Sequence, residues 1–159
     1  MKRFLFFLSF IVAISFEVNA QSKNVFTLSQ FSFEDTGGKK FKLDTLKGKV
    51  VFIDCWFPAC PPCRAEMPKL ISLYEKYKDK GFVVITISLD EHKEKWLKAI
   101  HDDSLPWIHF CDLVDIEKNI LSKKWGIVSI PYNFLIDKNG ILVDKEISLD
   151  KLERELFKL

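Results

Sequence analysis

Val50-Val51-Phe52-Ile53-Asp54-Cys55-Trp56-Phe57-Pro58-Ala59-Cys60-Pro61-Pro62-Cys63-Arg64-Ala65-Glu66-Met67-Pro68 is the stretch on which the reading of this chain turns. Its first seven residues are apolar except for Asp54. That is a run of strand length without alternation, as expected of a strand covered on both faces. Pro61 and Pro62 stand where the first turn of a helix tolerates proline, and Met67, Leu70, Ile71, Tyr74 and Tyr77 then recur at helical spacing until Gly81. Pro68 lies inside that helix and is expected to kink it. Phe82 to Leu89 reads as a second buried strand, so strand, helix and parallel strand form a βαβ unit. Cys60-Pro61-Pro62-Cys63 then sits at the carboxyl end of the first strand.

Two thiols two residues apart at a helix start can close a small disulfide ring, and the positive helix end favours a thiolate at the first. Cys60 is therefore the expected nucleophile, with Cys63, one turn further in, resolving the mixed disulfide. The pair encloses too little chain to staple a fold, since the entropy removed from the unfolded state grows with loop length. Nor does it read as a zinc site, which needs further Cys or His ligands; no second CxxC is present, and no metal is expected. His92, His101 and His109 show no ligand spacing and read as surface or core residues. Cys55 and Cys111 lie in apolar stretches and read as small buried residues, with a disulfide between them left open.

Outward from this centre, Phe31 to Asp35, Thr36 to Lys40 and Phe41 to Leu43 read as strand, Gly-containing turn and strand, an N-terminal hairpin. Glu91 to His101 suits a helix with Trp96, Leu97 and Ile100 as its apolar face. Leu105-Pro106-Trp107 marks a connection, and Asp115 to Lys124 suits a further helix. Tyr132 to Ile136, the turn Asp137-Lys138-Asn139-Gly140 and Ile141 to Val143 form a second hairpin, and Leu149 to Leu159 closes the chain as an amphipathic helix.

The chain's 159 residues, 48% of them hydrophobic, suffice for one packed domain without suggesting a polytopic membrane protein. With 24 basic against 22 acidic residues, the net charge of +2 gives no basis for a nucleic-acid partner or a strongly basic membrane-binding surface. Met1-Lys2-Arg3, the apolar run from Phe4 to Phe16 and Val18-Asn19-Ala20 have the charged start, apolar middle and small-residue exit of a secretory signal peptide. The expected organisation is a signal peptide over 1–20 and one domain over 21–159. Because the apolar run is shorter than the roughly 20 residues that span a bilayer, an uncleaved membrane anchor is the secondary reading. An exported protein follows, periplasmic in a Gram-negative bacterium.

The run from Trp56 to Pro68, together with Gly126-Ile127-Val128-Ser129-Ile130-Pro131 and Phe134-Leu135-Ile136-Asp137-Lys138-Asn139-Gly140, resembles the thioredoxin fold and, within it, the exported TlpA/ResA-like thiol-disulfide oxidoreductases. The resemblance implies an α/β fold with a central mixed sheet flanked by helices, here extended by the N-terminal hairpin. It implies an enzyme without a cofactor that reduces protein disulfides, is recharged by a membrane-bound electron donor and acts as a monomer. Apocytochrome c thiols awaiting haem are one implied substrate. Asp54 would be a buried carboxylate behind the dithiol, exchanging a proton with Cys63; the other reading is a polar group satisfied by backbone at the strand end. Glu66 matches an acidic position near the family's active site, although a glutamate early in a helix is favoured by the dipole alone. Ile130-Pro131 matches the fold's cis-proline loop. With Trp56, Pro61 and Pro62 it would line the substrate site, Trp56 as core or floor. Ala59 departs from the pattern, since many relatives carry tryptophan there. Two other functions share the fold. A peroxiredoxin-like thiol peroxidase would need threonine where Phe57 stands, and a copper-delivery protein would need CxxxC and a downstream histidine ligand.

Overall fold

The computed structural model describes residues 32–34 and 40–159; the expected signal peptide and most of the first hairpin's turn lie outside the described residues. Strands β1 (Ser32–Glu34) and β2 (Lys40–Lys42) pair antiparallel with Phe33 opposite Phe41, so the N-terminal hairpin forms where its pattern indicates. The main sheet has five strands: β3 (Val50–Trp56), β4 (Phe82–Ser88), β5 (Ile108–Cys111), β6 (Tyr132–Ile136) and β7 (Leu142–Lys145). Their order across the sheet is β5-β4-β3-β6-β7, with β3, β4 and β5 parallel and β6 and β7 antiparallel to their neighbours. Among the described residues four α-helices complete the fold: α1 (Pro61–Tyr77), α2 (Lys93–Asp102), α3 (Ile120–Trp125) and α4 (Leu149–Leu156).

β3 is the central strand, and six of its seven residues are buried because both faces are covered. Alternation divides its side chains. Phe52 and Trp56 pack with Cys63, Met67 and Leu70 of α1, Trp96 of α2 and Leu152 of α4. Val51, Ile53 and Cys55 point the other way, to Phe110, Trp125, Phe134 and Phe41. Fully burying one such large side chain contributes about 1.5–3 kcal/mol, so this two-sided core is the main force holding β3 in place. α1 runs through Pro68, is followed by a 3-10 turn over Lys78–Lys80, and stops at Gly81, whose φ of 90° lies in the left-handed region open to glycine.

The sequence reading needs three corrections. β5 falls just after the Leu105-Pro106-Trp107 connection, where no strand is predicted: four residues that include a histidine carry too little alternation to announce one. On α2 the stripe facing the sheet is Trp96, Ala99 and Ile100, while Leu97 is 37% exposed, because a helix on a sheet buries i, i+3 and i+4 and turns i+1 away. α3 begins at Ile120 rather than Asp115, since Asp115 caps a separate turn through its carboxylate, which accepts from Glu117 N at 2.9 Å.

Candidate active site

The strand-to-helix step after β3 builds the site. Cys60 is the N-cap of α1, with extended backbone (φ −101°, ψ 99°), and its N–H donates to Phe57 O at 3.1 Å across the preceding turn. Cys60 and Cys63 are joined in a disulfide, S–S 1.95 Å with Cα atoms 5.3 Å apart. Cys60 is 7% exposed and Cys63 1%, so the outer sulfur is the reachable one.

The first turn of a helix has backbone N–H groups without intrahelical acceptors, and the N-cap side chain takes one of them. Here Pro61 and Pro62 occupy the first two helical positions and carry no N–H. Cys63 N remains, and it donates to Cys60 Sγ at 3.2 Å. Arg64 N is already committed to Cys60 O at 3.1 Å. The outer sulfur therefore receives one backbone donor where a proline-free turn would offer more.

Beneath the dithiol, Asp54 is 4% exposed on the α1 face of β3. Burial first, and then the Glu66 carboxylate, push its pKa up to about 7. Glu66 is half-buried on α1, and its own pKa is raised by desolvation. Trp56 is wholly buried in the cluster that holds both cysteines; it is the floor of the site and presents no face to a substrate. Pro61 and Pro62 are exposed beside Cys60, and Ile130 and Pro131 are half-buried, joined by a cis peptide bond.

Cys55 and Cys111 are both free thiols. They belong to the cores on opposite faces of the sheet, which rules out the disulfide left open above. Two features escaped the sequence reading. Arg64, next to Cys63, makes a two-pronged ion pair with Asp103 at the end of α2, Nε to Oδ2 at 2.8 Å and Nη2 to Oδ1 at 2.6 Å. A buried polar row crosses the sheet in register under α1: Asn133 on β6, Asp54 on β3, Thr86 on β4 and His109 on β5. Its only sequence signal is Thr86 and Asn133, polar residues inside apolar runs; nothing local pairs them with Asp54.

The chain matches the AhpC/TSA family over residues 13–145. It is 36% identical over 132 residues to the thiol-disulfide oxidoreductase ResA of Bacillus anthracis, covering 81% of this chain and 74% of that protein. Among solved structures, the thioredoxin domain of a Bacteroides vulgatus thiol-disulfide oxidoreductase superposes with a TM-score of 0.73 at 36% identity, covering 80% of this chain and 91% of that one. A thiol-disulfide oxidoreductase from Bacteroides fragilis superposes with a TM-score of 0.74 at 27% identity, over 80% and 95% of the two chains.

Proposed function

The chain belongs to the AhpC/TSA family and, within it, to the ResA-like thiol-disulfide oxidoreductases, and from that membership we propose that it is the reductase of disulfides in exported proteins. The Cys60 thiolate attacks one sulfur of a substrate disulfide; a Cys60–substrate S–S bond forms and the other substrate sulfur leaves as a thiolate. Cys63 then gives its proton to Asp54, and its sulfur attacks Cys60, releasing the second substrate sulfur. The substrate gains two electrons and the enzyme ends with the Cys60–Cys63 disulfide, which a membrane-bound donor must reduce.

The observation that carries the direction is the single backbone donor at Cys60 Sγ. Dithiol proteins become oxidants when their reduced thiolate is strongly stabilised. A proline pair that leaves Cys63 N as the one backbone donor to this sulfur works against this, and leaves a couple that gives electrons up. The exposed Pro61 and Pro62 and the cis-Pro131 loop flank the sulfur, and would hold an extended substrate segment against it. Export rests on the N-terminal sequence; among the described residues no helix is long and apolar enough to cross a membrane. Monomeric action, and the disulfide of apocytochrome c as one substrate, reduced to the thiols that await haem, complete the proposal.

The test is to equilibrate the protein with a glutathione series and to trap partners with single-cysteine variants. Cys63→Ser should accumulate mixed disulfides through Cys60, and Cys60→Ser should not. A reduction potential near that of strong oxidants, about −120 mV, would defeat the reductase reading.

A further inference from the structure

A cleft of about 240 Å³ opens beside the dithiol, between the loops that follow β3 and β4 and the turn at Asp115. That volume is below the roughly 300–1,000 Å³ of sites that enclose a whole small molecule, and it suits a single long side chain. Ala59, exposed in its lining, stands one residue before Cys60, about 3.8 Å along the backbone. Two hydrogen bonds fix the cleft to the site. Cys60 N donates to Phe57 O at 3.1 Å, and Leu89 N donates to Trp56 O at 3.1 Å, which holds the loop after β4 against the end of β3. Leu89, buried, and Phe57, half-buried, give the cleft an apolar floor, and Ala59 ends at its Cβ, so no long side chain from that position covers it.

The rest of the lining is polar and mostly acidic. Glu91 is exposed, and Asp90 and Asp115 are half-buried. The contacts that orient the two aspartates run through one oxygen each: Asp90 Oδ1 accepts from His92 N at 2.7 Å and lies 2.9 Å from His92 Nδ1, and Asp115 Oδ1 accepts from Glu117 N at 2.9 Å. A carboxylate has about four acceptor sites on its two oxygens, so both can still take a cation. Three carboxylates outnumber the ammonium of Lys95 and leave the cleft negative even with His92 protonated.

We propose that this cleft selects the substrate by taking the side chain of a lysine or arginine that neighbours the reacting cysteine of the substrate protein. The inference rests on the reading above that Cys60 exchanges disulfides with an extended substrate segment. Lysine and arginine join an aliphatic stem to a cationic end, and the cleft offers a part to each, the floor at Phe57 and Leu89 and the carboxylates around it. A leucine would cover the floor but desolvate carboxylates without pairing them, and an acidic side chain would meet like charge.

The test uses short peptides closed by one disulfide, with lysine, leucine or glutamate placed in turn next to either cysteine. Single-turnover rate constants with the reduced protein are each divided by the rate constant of the same peptide with dithiothreitol, which removes the effect of the neighbouring charge on the peptide thiols themselves. At the position that enters the cleft, lysine should outrun glutamate about tenfold at low ionic strength, an attraction and a repulsion each of the size of an exposed ion pair. Leucine should fall between them, and the ratio should approach one in about 1 M salt, where the Debye length is about 3 Å. Glu91→Lys, a change at an exposed residue, should bring the low-salt ratio close to one, and Ala59→Trp, which fills the cleft, should do the same. A ratio near one in the unmodified protein, a leucine peptide faster than the lysine peptide, or a ratio unchanged in both variants overturns the proposal. The same peptides as dithiols, reacted with the oxidised protein, separate it from the reading beneath it. If only the reductase direction were wrong, the potential would lie near that of strong oxidants while the lysine preference persisted in both directions of exchange; a ratio near one in both directions overturns the cleft's role at any potential.

Discussion

Replacing Pro62 by alanine restores one N–H at the second position of α1, beside the Cys63 N–H that already reaches Cys60 Sγ at 3.2 Å. Pro62 is exposed, so the change removes little packing. A hydrogen bond to a charged acceptor contributes about 1.5–3 kcal/mol, and sulfur, a weak acceptor, belongs at the lower end, about 1.5 kcal/mol. At 7% exposure Cys60 is little screened by water. The new donor acts on the thiolate of the reduced protein and scarcely on the disulfide sulfur, so the reduced form takes almost the whole effect. For a two-electron couple about 1.4 kcal/mol corresponds to 30 mV, and the reduction potential should rise by about that amount, a roughly tenfold change in the glutathione ratio at half-oxidation. The assay is equilibration with graded glutathione ratios at a pH where Cys60 is ionised, quenched by alkylation and read as the reduced fraction. Pro61→Ala is the internal control: an N-cap side chain accepts from the second or third helical N–H, so a donor restored at the first position should shift the potential less. An unchanged or lower potential in Pro62→Ala would refute the idea that the proline pair sets the direction of electron flow.

Asp54 also governs stability. Its pKa is raised from 3.8 to about 7 in the fold, so between those values the folded protein binds more protons than the unfolded chain, and stability falls as pH rises. The loss is complete above about pH 7 and on the order of 4 kcal/mol. Asp54→Asn should therefore be the more stable protein at pH 8 and lose its advantage near pH 4; denaturant midpoints at the two pH values measure this, and parallel curves would count against it. Arg64→Ala breaks the two-pronged pair with Asp103, whose partners have side chains 37% and 19% exposed, and should cost about 1 kcal/mol in thermal unfolding. That cost should shrink in high salt; a salt-independent loss would point to packing of the arginine stem instead.

The order in which the fold reveals itself follows the range of the forces involved. Val50–Trp56 and Phe82–Ser88 were legible because strands buried on both faces must be apolar throughout, and α1 because Pro61, Pro62 and Gly81 mark its two ends locally. β5 and the inward stripe of α2 were not, because a four-residue strand and a one-position rotation of a helix are decided by what they pack against. The dithiol belongs to the first kind. Cys60-Pro61-Pro62-Cys63 carries its own chemistry, since ring closure, helix start and missing donors are all properties of adjacent residues.

What the chain alone determined, then, is the pair of cysteines and the strand and helix that present them, all fixed by spacing and local backbone chemistry. Tertiary structure decided the surroundings. Cys55 and Cys111 were separated by the sheet itself, Trp56 became a floor, and Asp54, Thr86, His109 and Asn133, drawn from four strands, came into one buried row. Strand register is a long-range property, set by the packing of both cores, so no local pattern could have shown that a histidine on an unannounced strand lies in the same row as the carboxyl beneath the dithiol.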